Sequence, residues 1–245
     1  MRYDGLMDPD ELPPAEDASD ASLPPWGTGD IVWGVFAVLL AVPVIVGVGA
    51  ALIVGADVDK AIVAMALSAV LESVVAGAAW WFSVRKYGLR WADLGFRWAP
   101  RGRSFFIVAG GVVAGLAIAG GYGAIVEALG LEESLPTTPL FDDESSTTVV
   151  ALGATLAVLA APLAEEVFFR GFVFGGLRGR IGVRFAALIS AALFMVAHVN
   201  PAVFVPIFLI GLLLTWVYAK TGSLWYPILV HLGYNGLVVL ITLTT

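Results

Sequence analysis

Apolar residues fill most of this chain in long blocks, and short polar stretches break the blocks at intervals. Residues 31–55 form the first block, and an acidic turn at 56–60 leads into a second over 61–84. A third covers 104–129, and a fourth begins near Thr147 and reads as one long helix to about Leu177. The fifth stops near Val199, where Asn200-Pro201 is a helix-ending pair. The sixth occupies 202–219 and the last 224–243. Most approach or exceed the roughly 20 apolar residues that cross a bilayer core. The pattern predicts an all-α fold: a polytopic transmembrane helical bundle of about seven spans, or eight.

The polar stretches carry a pattern of their own. Between the second and third blocks, Arg85, Lys86, Arg90, Arg97, Arg101 and Arg103 stand against one acid, Asp93. Arg178, Arg180 and Arg184 make a second basic corner, whereas the loop through Ser146 holds Glu132, Glu133, Asp142, Asp143 and Glu144 and no base. Basic flanks mark the cytoplasmic side. Residues 85–103 and 178–184 are therefore expected in the cytoplasm, with the N-terminal tail beside them and the C-terminus outside. Trp80, Trp81, Trp216, Trp225 and Tyr226 fall near helix ends, where amphipathic rings favour the membrane interface.

Composition agrees with a cell-membrane, multi-pass protein. Only 13% of residues are charged, against about 25% in soluble domains, and the mean hydropathy is +0.91. The net charge of −7 is local: residues 1–30 hold eight acids and one base, and the rest of the chain is balanced. With Pro13, Pro14, Pro24 and Pro25, that stretch reads as a disordered acidic tail. It lacks the basic start and early apolar run of a signal peptide. The expected organisation is an acidic tail over 1–30, transmembrane helices and loops over 31–146, and a second transmembrane domain over 147–245. The expected partner from composition is the lipid bilayer, with no nucleic acid. The absence of cysteine excludes disulfides, thiolate metal sites and cysteine nucleophiles.

Several polar residues sit where lipid surrounds the chain. A charge at the bilayer centre costs about 2.5–3.5 kcal/mol on insertion scales, so it is a functional candidate by default. Glu165, Glu166 and Arg170 lie inside the fourth block, and both histidines, His198 and His231, lie inside others. Glu166 and Arg170 are spaced i,i+4 with the acid first, the better orientation for a helical ion pair. Phe194 and His198 share a helix face at the same spacing, as do His231 and Asn235. At ~1.5 Å per residue from the cytoplasmic ends, Glu165, His198 and Asn235 reach a depth of about 20 Å and His231 about 13 Å. Three helices thus deliver polar groups to one layer.

These three strings, Glu165-Glu166-x-x-x-Arg170, Phe194-x-x-x-His198 and His231-x-x-x-Asn235, resemble the successive motifs of the CPBP intramembrane proteases. That family includes the type II CAAX prenyl endopeptidases and the bacteriocin-processing or Abi proteins. The resemblance covers about residues 147–243. It implies an intramembrane endopeptidase acting on membrane-associated, prenylated or peptide substrates. Glu165 with His198 would polarise a water, and His231 and Asn235 would donate to the oxyanion. Glu166 with Arg170 would fix the helix bearing Glu165, with direct catalysis by Glu166 as the competing role, and Phe194 would pack beneath His198. The main reading needs no cofactor, because a carboxylate in an apolar setting suits base and then acid work. A zinc reading stays open, since one carboxylate and two imidazoles, Glu165, His198 and His231, make a plausible three-ligand site.

Other readings weigh less. His-Glu-x-x-His and Gly-x-Ser-x-Gly strings are absent, and Gly27-Thr28-Gly29-Asp30 matches an aspartyl-protease string only by coincidence. A proton-coupled transporter would use Glu72, Glu165 and the histidines as a relay, but no repeat links the two halves. A non-catalytic scaffold or immunity protein would be expected to lose a motif residue, and none is lost. Glu72 reads first as a protonated, hydrogen-bonded structural residue. Gly110, Gly111, Gly115, Gly120 and Gly121 read as close helix packing.

Overall fold

The computed structural model describes residues 23–53, 60–98, 104–131 and 146–244. Arg101, Arg103, the acidic loop from Glu132 to Glu144 and most of the acidic tail lie outside these residues. The helices are α1 (Thr28–Ile53), α2 (Lys60–Arg85), α3 (Ser104–Ala128), α4 (Thr147–Ile181), α5 (Val183–Ala197), α6 (Phe204–Thr221) and α7 (Trp225–Thr242). No strand occurs among the described residues. Six of these helices are long and apolar enough to cross a membrane. The exception is α5, whose 15 residues span only ~22 Å at 1.5 Å each.

Burial is inverted relative to a water-soluble bundle. Phe105, Phe185 and Trp33 face outward with more than half their surface exposed, while Glu166 and Arg170 are fully enclosed. The centre is aromatic: Phe168, Phe172, Phe174 and Phe194 are each almost wholly buried. α5 packs most extensively on α6, α1 on α2, and α3 on both α6 and α7. Two glycines of α3 seat α7. A Cβ at Gly111 would come within 2.7 Å of Val230, and one at Gly115 within 3.1 Å of Tyr234. Gly110, Gly120 and Gly121 face open space instead, so only part of the glycine stretch packs as expected.

α4 is not a uniform helix. Its turns widen to π-helical winding at Leu156–Ala160 and again at Glu166–Phe174. Pro162 follows the first widening at once, and proline lacks the amide hydrogen that an α-turn would use. The second widening begins at the motif glutamates, and all nine of its residues are buried. Such bulges recur at functional sites.

The N-terminal stretch departs from the expected tail at its inner end. From Leu23 onward it is docked: Trp26 is buried, and its indole Nε1 donates to Phe172 O at 3.0 Å. Asp30 is also buried and accepts from Lys86 Nζ at 2.5 Å and from the Tyr87 hydroxyl at 2.7 Å. α1 begins at Thr28, so Asp30 lies in its first turn rather than in a disordered segment. An indole and a carboxylate with specific partners outweigh the local Pro-rich, acidic composition. The Asp30 hydrogen bond also raises the Lys86 ammonium pKa above its usual value.

Candidate active site

At the start of the second widened segment of α4, the two glutamates meet one imidazole. His231 Nδ1 lies 2.9 Å from Glu166 Oε1, and its Nε2 lies 3.7 Å from Glu165 Oε2. Neighbours in sequence thus address opposite nitrogens of one ring. Glu166 Oε1 also accepts from Arg170 Nη1 at 2.8 Å, completing the i,i+4 pair expected from the spacing. Arg170 donates further from Nη2 to Gly211 O at 3.1 Å, and its guanidinium lies 4.5 Å from the Phe194 ring centroid. A fully buried guanidinium so surrounded fixes Glu166, and Glu166 fixes His231.

His198 is held from its own helix end. Its ring Nδ1 lies 2.8 Å from Phe194 O. A carbonyl can only accept, so Nδ1 carries the hydrogen and the neutral ring has a free lone pair on Nε2. The His198 ring meets Phe194 edge-on at 4.7 Å, and the His231 ring does so at 6.0 Å. Phe194 is therefore the packing platform for both histidines. The chain then turns sharply, because Val199 adopts φ 57°, the only positive φ outside glycine among the described residues. Asn200 caps the following turn by accepting from Ala202 N at 3.0 Å.

Asn235 donates from Nδ2 to Ala157 O at 2.8 Å, in the first widened segment of α4. Its amide keeps a second hydrogen and its oxygen for other partners. Glu165, His198, His231 and Asn235 together line a cavity of about 210 Å³. The structure thus brings together the four residues singled out from the sequence, with Glu166, Arg170 and Phe194 supporting them from behind. No three of His, Asp or Glu among the described residues are gathered closely enough to hold a metal ion.

One residue has a different place from that expected. Glu72 does not close a structural hydrogen bond through Oε2, which is buried without a partner. It lines a second cavity, of about 320 Å³, shared with Glu165 and His198. A third and larger cavity, about 730 Å³ and almost wholly apolar, runs between α2 and α4 with Trp91, Phe96 and Trp225 on its walls. The signal for Glu72 was its charge inside an apolar helix, but no spacing rule ties α2 to α4.

Residues 147–237 match the family model described as "Type II CAAX prenyl endopeptidase Rce1-like". This segment is similar to the Rce1-like family. Individual proteins are similar to parts of the chain as well. YdiL of Bacillus subtilis is 32% identical over 94 residues, 38% of either chain. The membrane-embedded CAAX protease MroQ of Staphylococcus aureus is 36% identical over 92 residues, 35% of this chain and 37% of that one. A 24.3 kDa protein of Escherichia coli is 34% identical over 113 residues, 42% of this chain and 52% of that one. The matches thus span between about a third and a half of these relatives' lengths. No solved structure matches the chain.

Proposed function

We propose that the protein is an intramembrane endopeptidase that hydrolyses peptide bonds with a water activated by Glu165. The observation that carries this reading is the single cavity lined by Glu165, His198, His231 and Asn235. Peptide hydrolysis needs a base for water, donors for the tetrahedral oxyanion and a proton for the leaving amine. Glu165 takes a proton from the water, and the free Nε2 of His198 orients it. The hydroxide oxygen bonds to the peptide carbon, and the carbonyl electrons move onto oxygen. Asn235 donates its remaining N–H to that oxyanion, and His231 adds a second donor in the form that carries a hydrogen on Nε2. As the C–N bond breaks, Glu165 returns its proton to the amine. The apolar cavity of about 730 Å³ beside α4 suits the apolar part of a membrane-associated or prenylated substrate. The basic loops would face the cytoplasm, with the N-terminal tail.

The test compares purified wild type, Glu165→Gln and wild type with excess chelator on farnesylated and unmodified fluorogenic peptides in detergent. Cleavage lost in Glu165→Gln and kept with chelator is the expected result. Loss in both would favour the zinc-dependent version of the same peptidase. Cleavage kept in Glu165→Gln, or none by wild type on any peptide, would count against the reading.

A further inference from the structure

Glu72 stands on α2, outside the Rce1-like segment, yet it lines the same cavity as Glu165 and His198. It also lines the large apolar cavity between α2 and α4, so it marks the junction between the two spaces. Three buried side-chain atoms among the described residues lack a partner: Glu72 Oε2, Glu166 Oε2 and Arg170 Nε. The latter two belong to an ion pair that is closed through their sister atoms. Glu72 Oε2 has no such closure. A buried acceptor left unpaired is costly, and an acid inside an apolar helix adds to that cost. A donor arriving from the cavity removes it. A peptide approaching Glu165 brings such donors, because its backbone N–H groups lose water on entering an apolar site and must find acceptors.

We propose that Glu72 is a substrate-binding residue, accepting a hydrogen bond from a backbone N–H of the peptide next to the scissile bond. The inference rests on the peptidase reading and adds a residue to its substrate grip. Loss of the acceptor weakens binding more than it slows chemistry, since Glu165, His198 and Asn235 are untouched. Glu72→Leu is expected to raise KM about tenfold, the scale of one lost hydrogen bond, with kcat changed less than about threefold. Glu72→Gln keeps an acceptor oxygen and is expected to restore KM to within about threefold of wild type.

The decisive probe is a peptide series in which each amide flanking the scissile bond is N-methylated in turn. One N-methyl should weaken wild-type binding about tenfold and leave Glu72→Leu indifferent, as expected when two changes delete one contact. Binding is read by fluorescence anisotropy in the Glu165→Gln background, so it does not depend on turnover. Equal N-methyl penalties with and without Glu72 would overturn the proposal and assign the carboxyl to water or packing. An unchanged dissociation constant in Glu72→Leu would overturn it as well. If Glu165→Gln leaves cleavage intact, the peptidase reading fails while anisotropy still decides Glu72. If no peptide binds to any form, both fail.

Discussion

Phe194 borders both histidines of the proposed site. Its ring lies against His198, His231, Phe169 and the Arg170 guanidinium. Shortening it should misplace both imidazoles slightly without opening a large hole. Phe194→Leu is expected to fold and to lose about 10–100-fold in kcat, with a smaller change in KM, measured by steady-state cleavage. Arg170 makes the opposite case. Arg170→Met leaves the enclosed Glu166 without its cation and should cost about 3–5 kcal/mol, read as a lower melting temperature in detergent. Adding Glu166→Gln should recover part of that loss, because the uncompensated charge is then gone. The sequence disclosed most residues at this scale, since charges and histidines inside apolar blocks are conspicuous. It disclosed the Glu166–Arg170 pair through simple i,i+4 spacing. It did not disclose Glu166 against His231, which depends on how α4 winds, or Glu72 beside Glu165, which depends on how α2 packs.

At the level of elements, the hydropathy blocks located α1 to α7 to within a few residues, because a lipid-facing helix advertises itself by apolar length alone. Winding leaves no such trace. Pro162 was a hint of the first widened segment, and nothing in Glu166–Phe174 announces the second. The turn after α5 is equally local. Val199 holds a positive φ that costs a β-branched residue about 1–2 kcal/mol, and it directly follows His198. Glycine adopts that conformation freely, whereas proline is fixed at negative φ. Val199→Gly should therefore retain cleavage, and Val199→Pro should abolish it by turning His198 away from the cavity. The α3–α7 contact gives a further test. Gly111→Val forces atoms into Val230, an overpacking expected to cost about 1–3 kcal/mol, visible in thermal unfolding.

Across the whole molecule, the N-terminal strap joins segments that are distant in sequence. Trp26 and Phe172 are 146 residues apart, and Asp30 lies 56 residues from Lys86. Composition suggested a solvated tail through residue 30, because a contact to residues so far along the chain leaves no local mark. Asp30→Asn should weaken the hold on Lys86 and Tyr87 and lower the melting temperature by a few degrees, about 2–4 °C per kcal/mol lost in a chain of this size. Cleavage by the remaining folded protein should be little changed. The Lys86 pKa is raised above its usual value, so the Asp30–Lys86 contribution persists through neutral pH. On the alkaline side it is lost as strong alkali deprotonates Lys86. The strap also imposes an order in time. A nascent chain emerges with Trp26 already made and Phe172 still unsynthesised, so the indole N–H waits while three helices are laid down. Trp26 is thus made early and placed late, and its contact with Phe172 forms only after the motif-bearing helix has been delivered.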